Sequence, residues 1–236
     1  MFRSYVSFSR VAALAAALSI ALPAQYQSSS GMYFQSAGAA YMNTLSWSSM
    51  SRSPEMQQAM NDAEARANGQ SGTSGSTRAA SANSSTPALA ASDFRPVPEE
   101  RGKVLDSLVA SVPAGPGRDK WRASIETLSA VVENNAGRKH NLAEATYLLI
   151  GVSLQTSTGR LIEKARAQEL IRAIAAAYAG DKSFQRLDDR QRSRMYYLYT
   201  ATIALTGGLN ASKDPAEVQA AKALAQNTLR EMGIRR

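Results

Sequence analysis

The sequence contains no cysteine and only one histidine among its 236 residues. The missing cysteine excludes disulfide bonds and thiolate catalysis, and it argues against a lipid anchor on a cysteine side chain. The single histidine, His140, lies in a basic turn beside Arg138 and Lys139, where we expect a surface-loop residue. One histidine cannot supply a zinc site, and no Gly-x-Ser-x-Gly motif accompanies it. We therefore predict no metal site, no cofactor and no catalytic triad.

Long hydrophobic runs are also scarce, and the one conspicuous run, Val11–Leu22, is too short to span a bilayer. Arg3 and Arg10 precede it, and Pro23-Ala24 ends it before a polar stretch. A basic region, an apolar segment and a small residue at the cleavage point are typical of a secretory signal. The sequence therefore predicts a signal peptide over residues 1–24, export to the periplasm or the extracellular medium, and no membrane span after cleavage.

Large aliphatic residues are almost missing from the segment that follows. Between Asn61 and Asp93 the only one is Leu89, in a background of Ser, Ala, Gly, Thr and Asn. Such a segment buries too little apolar surface to offset the loss of chain entropy, so residues 25–95 are predicted to be a mostly disordered leader. Ser53 as a cap and Pro54 in the first turn indicate one short helix within it, over residues 53–67.

From Pro96 onward, apolar residues recur at helical spacing and strand-like alternation is absent. This pattern predicts an all-α domain over residues 96–236, a compact bundle of about six helices arranged as antiparallel hairpins. The first predicted helix opens at Pro98, and the second carries Trp121 to Val132. The third starts at a capping box of Asn141 and Glu144, and the fourth runs from Arg160 to Ala179. The fifth runs from Asp188 or Asp189 to Gly207-Gly208, and the sixth starts at a capping box of Asp214 and Glu217.

Acidic residues are too few to balance the basic ones in this domain, which has 21 Lys and Arg against 15 Asp and Glu. A net positive charge attracts anionic surfaces. The candidate contact residues for an anion or a partner are Arg186, Arg190 and Arg194, of which Arg190 and Arg194 share one face of the fifth predicted helix. Pairing with Asp188 and Asp189 is the alternative interpretation, and nucleic acid is not a favoured ligand.

Adjacent acidic residues occur at only two places in the domain, Glu99-Glu100 and Asp188-Asp189. Both pairs fall at predicted helix starts, where acidic side chains complement the helix dipole. We therefore interpret them as structural. Two carboxylates from distant parts of the chain can still meet in the fold, and the sequence does not decide this.

Three segments carry a resemblance: Ala-Thr-Tyr-Leu-Leu at 145–149, Arg-Met-Tyr-Tyr-Leu-Tyr at 194–199, and the Ala-rich helix after Asp214. With them, residues 94–236 resemble the helical C-terminal domain of exported bacterial proteins of unknown function. This resemblance implies a helical fold but no activity and no site residues. The Ala-rich hairpins also resemble tetratricopeptide repeats, although the 34-residue period and its marker residues are missing.

The missing catalytic residues favour an exported, non-catalytic helical module that binds a protein or an anionic component of the cell envelope. The alternative is an exported hydrolase that cleaves a glycan or a cell-wall polymer with carboxylates alone. Two acidic side chains facing each other about 5–10 Å apart across a polar cleft would favour the hydrolase.

Overall fold

The computed structural model describes residues 85–110, 112–162 and 164–234, and within these ranges the chain is an all-α bundle, as predicted. The described residues form eight helices and no strand; the two short helices α1 and α6 add to the six expected. The helices are α1 (Ser85–Ala91), α2 (Pro98–Leu108), α3 (Pro116–Asn135), α4 (Leu142–Thr158), α5 (Lys164–Gly180), α6 (Lys182–Gln185), α7 (Asp189–Asn210) and α8 (Pro215–Glu231).

Helix α7 is the centre of the bundle, because α2, α3, α4 and α8 all pack against it. Its residues from Met195 to Thr206 are all buried, so the helix has no solvent-exposed face along this stretch. Helix α4 is almost as enclosed, between α5, α7 and α8. Such continuous burial is expected of a helix that is surrounded by neighbours on every side.

Helix directions follow from hydrogen bonds at the helix ends. The hydroxyls of Thr146, near the start of α4, and Tyr178, near the end of α5, lie 2.7 Å apart, so these two helices are antiparallel. The ring of His140, just before α4, lies 5.8 Å from that of Tyr196, in the second turn of α7. Helices α4 and α7 therefore start at the same end of the bundle, and α8 returns antiparallel to α7 after a short loop.

The predicted helix caps are largely confirmed. The side chain of Asn141 accepts the backbone N–H of Glu144, and Asp214 accepts that of Ala216. Asp188 forms a full capping box with Gln191. The capping boxes expected at α4 and α8 are only half formed: the carboxylate of Glu144 turns back to the preceding loop, and Asp214 accepts the N–H of Ala216 without a return bond from Glu217. Each cap satisfies a backbone N–H that has no partner within its own helix.

Two predicted boundaries are wrong. Helix α7 continues through Gly207 and Gly208 to Asn210. A Cβ at Gly208 would lie 3.3 Å from Leu128 Cδ1, so this glycine allows close packing against α3 instead of ending the helix. Helix α5 begins at Lys164 and not at Arg160.

Residues ahead of the predicted domain boundary at residue 96 also pack on the bundle. Helix α1 packs on α5, and its last three residues together with those that follow form what we call the strap, residues 89–97. Phe94 in the strap is buried, with its ring 5.9 Å from His140 and 5.3 Å from Tyr196. His140 lies in a loop, as predicted, but it is half-buried in an aromatic cluster and not freely exposed.

Polar contacts hold the strap to the first turns of α4 and α7. The Asn141 amide donates to Leu89 O, Ser92 Oγ and Asp93 Oδ1 at 2.7–2.9 Å. Arg192 donates to the carbonyl oxygens of Ala91 and Asp93, both at 3.2 Å. The strap backbone is therefore held by side chains of distant residues and by backbone hydrogen bonds, from Phe94 N–H to His140 O at 3.2 Å and from Leu142 N–H to Ser92 O at 3.0 Å. The apolar count along the segment gave no sign of this.

The predictions for the signal peptide over 1–24, the short helix over 53–67 and the leader up to residue 84 lie outside the described residues.

Candidate functional site

The candidate site forms where the first turns of α2 and α7 meet. Helix α2 begins at Pro98, a residue suited to the first turn because it has no N–H to satisfy. Its cap residue, Val97, provides no side-chain oxygen; instead, the Val97 N–H donates to Ser193 Oγ in α7 at 2.9 Å. This bond fixes the start of α2 against the start of α7. Glu100, in the first turn of α2, consequently faces α7.

The start of α7 is fixed independently. Asp188 and Gln191 form the capping box, and Asp189 Oδ1 accepts the backbone N–H of Arg95 at 3.1 Å. The i, i+4 spacing of Arg190 and Arg194 places both side chains on one face. That face meets α2, and both arginines converge on the carboxylate of Glu100.

Three cations surround this one carboxylate. Arg194 donates from Nε and Nη2 to Oε2 of Glu100 at 2.9 and 2.7 Å. Lys103 Nζ lies 2.7 Å from Oε1, and Arg190 Nε lies 3.5 Å from the same oxygen. Glu100, Lys103, Arg190 and Arg194 are called the Glu100 cluster below.

The carboxylate is covered, whereas the cations face solvent. The side chain of Glu100 is 0% exposed, against 55% for Lys103, 64% for Arg190 and 37% for Arg194. Burial favours the neutral acid, but hydrogen bonds from Lys103 and Arg194 and the charges of both outweigh it. The net result lowers the pKa of Glu100 below its ordinary value. Glu100 is therefore ionised at neutral pH, and the three cations exceed it by two charges.

The structure places the three predicted contact residues differently from one another. Arg190 and Arg194 both contact Glu100. From the sequence, Glu100 was expected only to complement the helix dipole at a helix start. Arg186 is the exposed C-cap of the short helix α6, and the ion pairs described for Glu100 do not include it. Whether these arginines contact an anion stays a prediction.

Arg192, between them in sequence, points elsewhere, as its helical position predicts. Besides the strap, it donates to Leu187 O at 3.1 Å, and its guanidinium lies 4.6 Å from the ring centre of Phe184. Arg192 therefore has a structural role in fastening the strap and α6 to α7.

A second polar arrangement lies between α2, α3 and α7. A shallow depression, too small to enclose a water molecule, is lined by Arg101, Val104, Leu105, Glu126, Ser129, Glu133, Tyr197 and Thr200. It is smaller than the roughly 300–1,000 Å³ of usual ligand pockets. Arg101 donates to both oxygens of Glu133 at 2.7 and 2.6 Å, and Arg122 lies 3.3 Å from Glu126.

These two carboxylates do not form the pair that the hydrolase alternative requires. Both belong to α3, seven residues apart, and both are engaged by arginines. They do not face each other across a cleft, so the depression does not favour glycan cleavage.

In the described part of the chain, no group of three or more His, Asp or Glu residues could hold a metal ion. No helix in the described ranges is both long and apolar enough to cross a membrane.

The sequence of residues 7–236 matches the model of a family of unknown function, DUF6683. The chain belongs to this family. The DUF6683 match covers nearly the whole chain, whereas the resemblance seen in the sequence covered residues 94–236 alone. No curated protein and no solved structure matches this DUF6683 chain. The Glu100 cluster is accordingly argued from its own geometry.

Proposed function

We propose that this chain is an exported, non-catalytic helical module that binds an anionic component of the cell envelope through the Glu100 cluster. Export is supported by Arg3 and Arg10, which precede the apolar run Val11–Leu22. N-terminal sequencing of protein recovered from the producing cell tests this part. An intact Met1 on intracellular protein would contradict export.

The observation that carries the binding proposal is the excess of cations around one buried carboxylate. A surface lysine or arginine usually samples many rotamers, and ordering it on a ligand costs conformational entropy. In the Glu100 cluster the shared carboxylate already restrains Lys103, Arg190 and Arg194. Their charges therefore occupy defined positions at the surface before any ligand arrives, which favours binding.

The experiment is co-sedimentation of the chain from residue 25 onward, which lacks the proposed signal peptide, with vesicles of phosphatidylcholine containing phosphatidylglycerol, against vesicles of phosphatidylcholine alone. Arg190→Gln is the test variant, because Arg190 is the most exposed member of the Glu100 cluster and its contact with Glu100 is the longest. Arg172→Gln is the matched control, since it removes the same charge from the exposed face of α5.

We expect Arg190→Gln to weaken binding to the anionic vesicles several-fold more than Arg172→Gln, and to reduce the slope of log affinity against log salt by about one ionic contact. Equal weakening by both variants would mean that only the overall positive charge matters. No binding to the anionic vesicles would contradict the proposed ligand class.

A further inference from the structure

The two most exposed cations of the Glu100 cluster lie close enough together to share one small ligand. Lys103 Nζ and Arg190 Nε lie 2.7 and 3.5 Å from the same oxygen, Glu100 Oε1. The two nitrogens are therefore at most the sum of these distances, 6.2 Å, apart. A gap of this size is spanned by one oxyanion that accepts a hydrogen bond of about 2.8 Å from each side.

Both cations also keep donors for such a ligand. The contact with Glu100 engages Arg190 through Nε at long distance, so it does not involve the two terminal nitrogens of the guanidinium. Lys103 carries three N–H donors, of which one points to Glu100 Oε1. With exposures of 64% and 55%, both side chains reach solvent.

We propose that Lys103 and Arg190 together bind a single phosphate group, with one group per domain. This inference rests on the proposed function and specifies the ligand: a discrete phosphate, in contrast to the diffuse charge of a polymer. Lysine and arginine are both established types of phosphate ligand, one as a compact charge and the other as a planar fork.

The charge of the site fits a phosphate monoester better than a carboxylate. The Glu100 cluster has three positive charges and one negative charge, and a phosphate monoester carries about −1.5 to −2 at pH 7. The flanking acids are Glu99, which is exposed, and Asp189, whose Oδ1 accepts the Arg95 N–H. Both lie on the same first turns, so they set an upper limit to the affinity and disfavour ligands with a larger negative charge.

The test uses the full chain and inorganic phosphate as the probe, followed by nuclear magnetic resonance or calorimetry, with acetate at equal ionic strength as the comparison anion. We expect saturable binding of one phosphate per chain, and weaker binding of acetate. Arg190→Gln and Lys103→Gln should each reduce the affinity for phosphate about tenfold. Arg172→Gln should leave it unchanged, and circular dichroism checks that every variant is folded.

A second arm separates a free phosphate from a lipid headgroup, by adding inorganic phosphate to the chain bound on vesicles that contain phosphatidic acid. Displacement from the vesicles by phosphate would support one shared site. If the chain binds vesicles through Arg190 but shows no saturable phosphate binding and no displacement by phosphate, the single-phosphate site is overturned and the envelope-binding proposal stands. If the chain binds phosphate but not vesicles, the phosphate site stands and the envelope-binding proposal is overturned. Equal affinity for acetate and phosphate would overturn the assignment of the ligand class.

Discussion

The carboxylate of Glu144 lies directly against Gly137, whose backbone N–H donates to Glu144 Oε1. A Cβ at position 137 would lie 2.7 Å from that oxygen and 3.5 Å from the Glu144 carboxyl carbon. Burial raises the pKa of Glu144, although the backbone N–H groups of Gly137 and Arg138 oppose the shift. Glycine at position 137 therefore provides the close approach by which the first turn of α4 closes the preceding loop.

Gly137→Ala should for this reason displace the Glu144 carboxylate and weaken its bond with the Gly137 N–H, at a cost of about 0.5–1.5 kcal/mol, the usual net contribution of one hydrogen bond. Chemical denaturation monitored by circular dichroism measures the change. Gly180→Ala is the control, since a Cβ there has no atom within 4 Å and the backbone is helical. It should leave the free energy of unfolding unchanged or raise it slightly. Equal effects of the two substitutions would contradict the close contact.

Glu100 and Arg194 should behave as a coupled pair in a double-mutant cycle. Glu100→Gln and Arg194→Gln each remove charge-assisted hydrogen bonds at 2.7–2.9 Å, worth about 1.5–3 kcal/mol of stability. The double variant should be less destabilised than the sum of the two, because each single variant already removes the interaction. Additive free energies of unfolding would show that the two residues act independently.

The lowered pKa of Glu100 gives the same pair a signature in acid. Its contribution to stability is fully present above the ordinary pKa of 4.5 and is lost as the pH falls through the lower pKa of the folded state. Acid unfolding curves of the parent protein and Glu100→Gln should therefore converge below pH 4.5. Curves that stay parallel throughout would rule out this linkage.

Buried tyrosines should make the domain sensitive to alkali. Burial raises the pKa of Tyr178 from 10 to about 12, and the pKa of Tyr199 lies well above its ordinary value for the same reason. The stability due to the neutral hydroxyls is present below pH 10 and is lost as the pH rises above it. Ultraviolet absorbance of tyrosinate and circular dichroism should consequently change together. Ionisation of all tyrosines near pH 10 with the fold intact would contradict this.

Removal of most of the strap should cost stability. A chain that starts at residue 96 loses Phe94, the three acceptors of the Asn141 amide and two of the acceptors of Arg192. We expect it to unfold at a clearly lower temperature than a chain that starts at residue 85, because the buried ring of Phe94 and these hydrogen bonds are lost. Limited proteolysis of the full chain should correspondingly give a resistant fragment that starts near residue 85. Equal melting temperatures of the two chains would show that the strap is dispensable.

Local rules predicted most of the helices but not the partners of their charged side chains. Asp188, Asn141 and Asp214 could be identified as caps because a cap depends on residues within one turn. The ion pair of Glu100 with Arg194 joins residues 94 positions apart, and it depends on the packing of α2 against α7, to which the Val97–Ser193 hydrogen bond contributes. The Pro-Glu-Glu start and a lysine three residues after Glu100 were visible in the sequence, but burial of that glutamate was not.

The predicted end of α7 at Gly207-Gly208 was also wrong because it depends on a neighbour that is distant in sequence. Glycine ends many helices because it readily adopts a left-handed conformation, and this is the case at Gly159, where φ is 74°. Gly208 is helical instead, and Leu128 from α3 occupies the space that a side chain at this position would fill. A single sequence contains no sign of that neighbour. His140 shows the converse: it adopts the left-handed conformation, with φ 55°, where a glycine would be expected.

The contacts of the strap also determine when the amino-terminal end of the domain can become stable during synthesis. Val97 and the backbone oxygens of Ala91 and Asp93 bind Ser193 and Arg192, between 96 and 101 positions later in the chain. Contacts so distant in sequence are slow to form. Arg192 and Ser193 are made well after the other strap partners, Asn141 and His140, so the earliest-made part of the domain completes its docking late in synthesis.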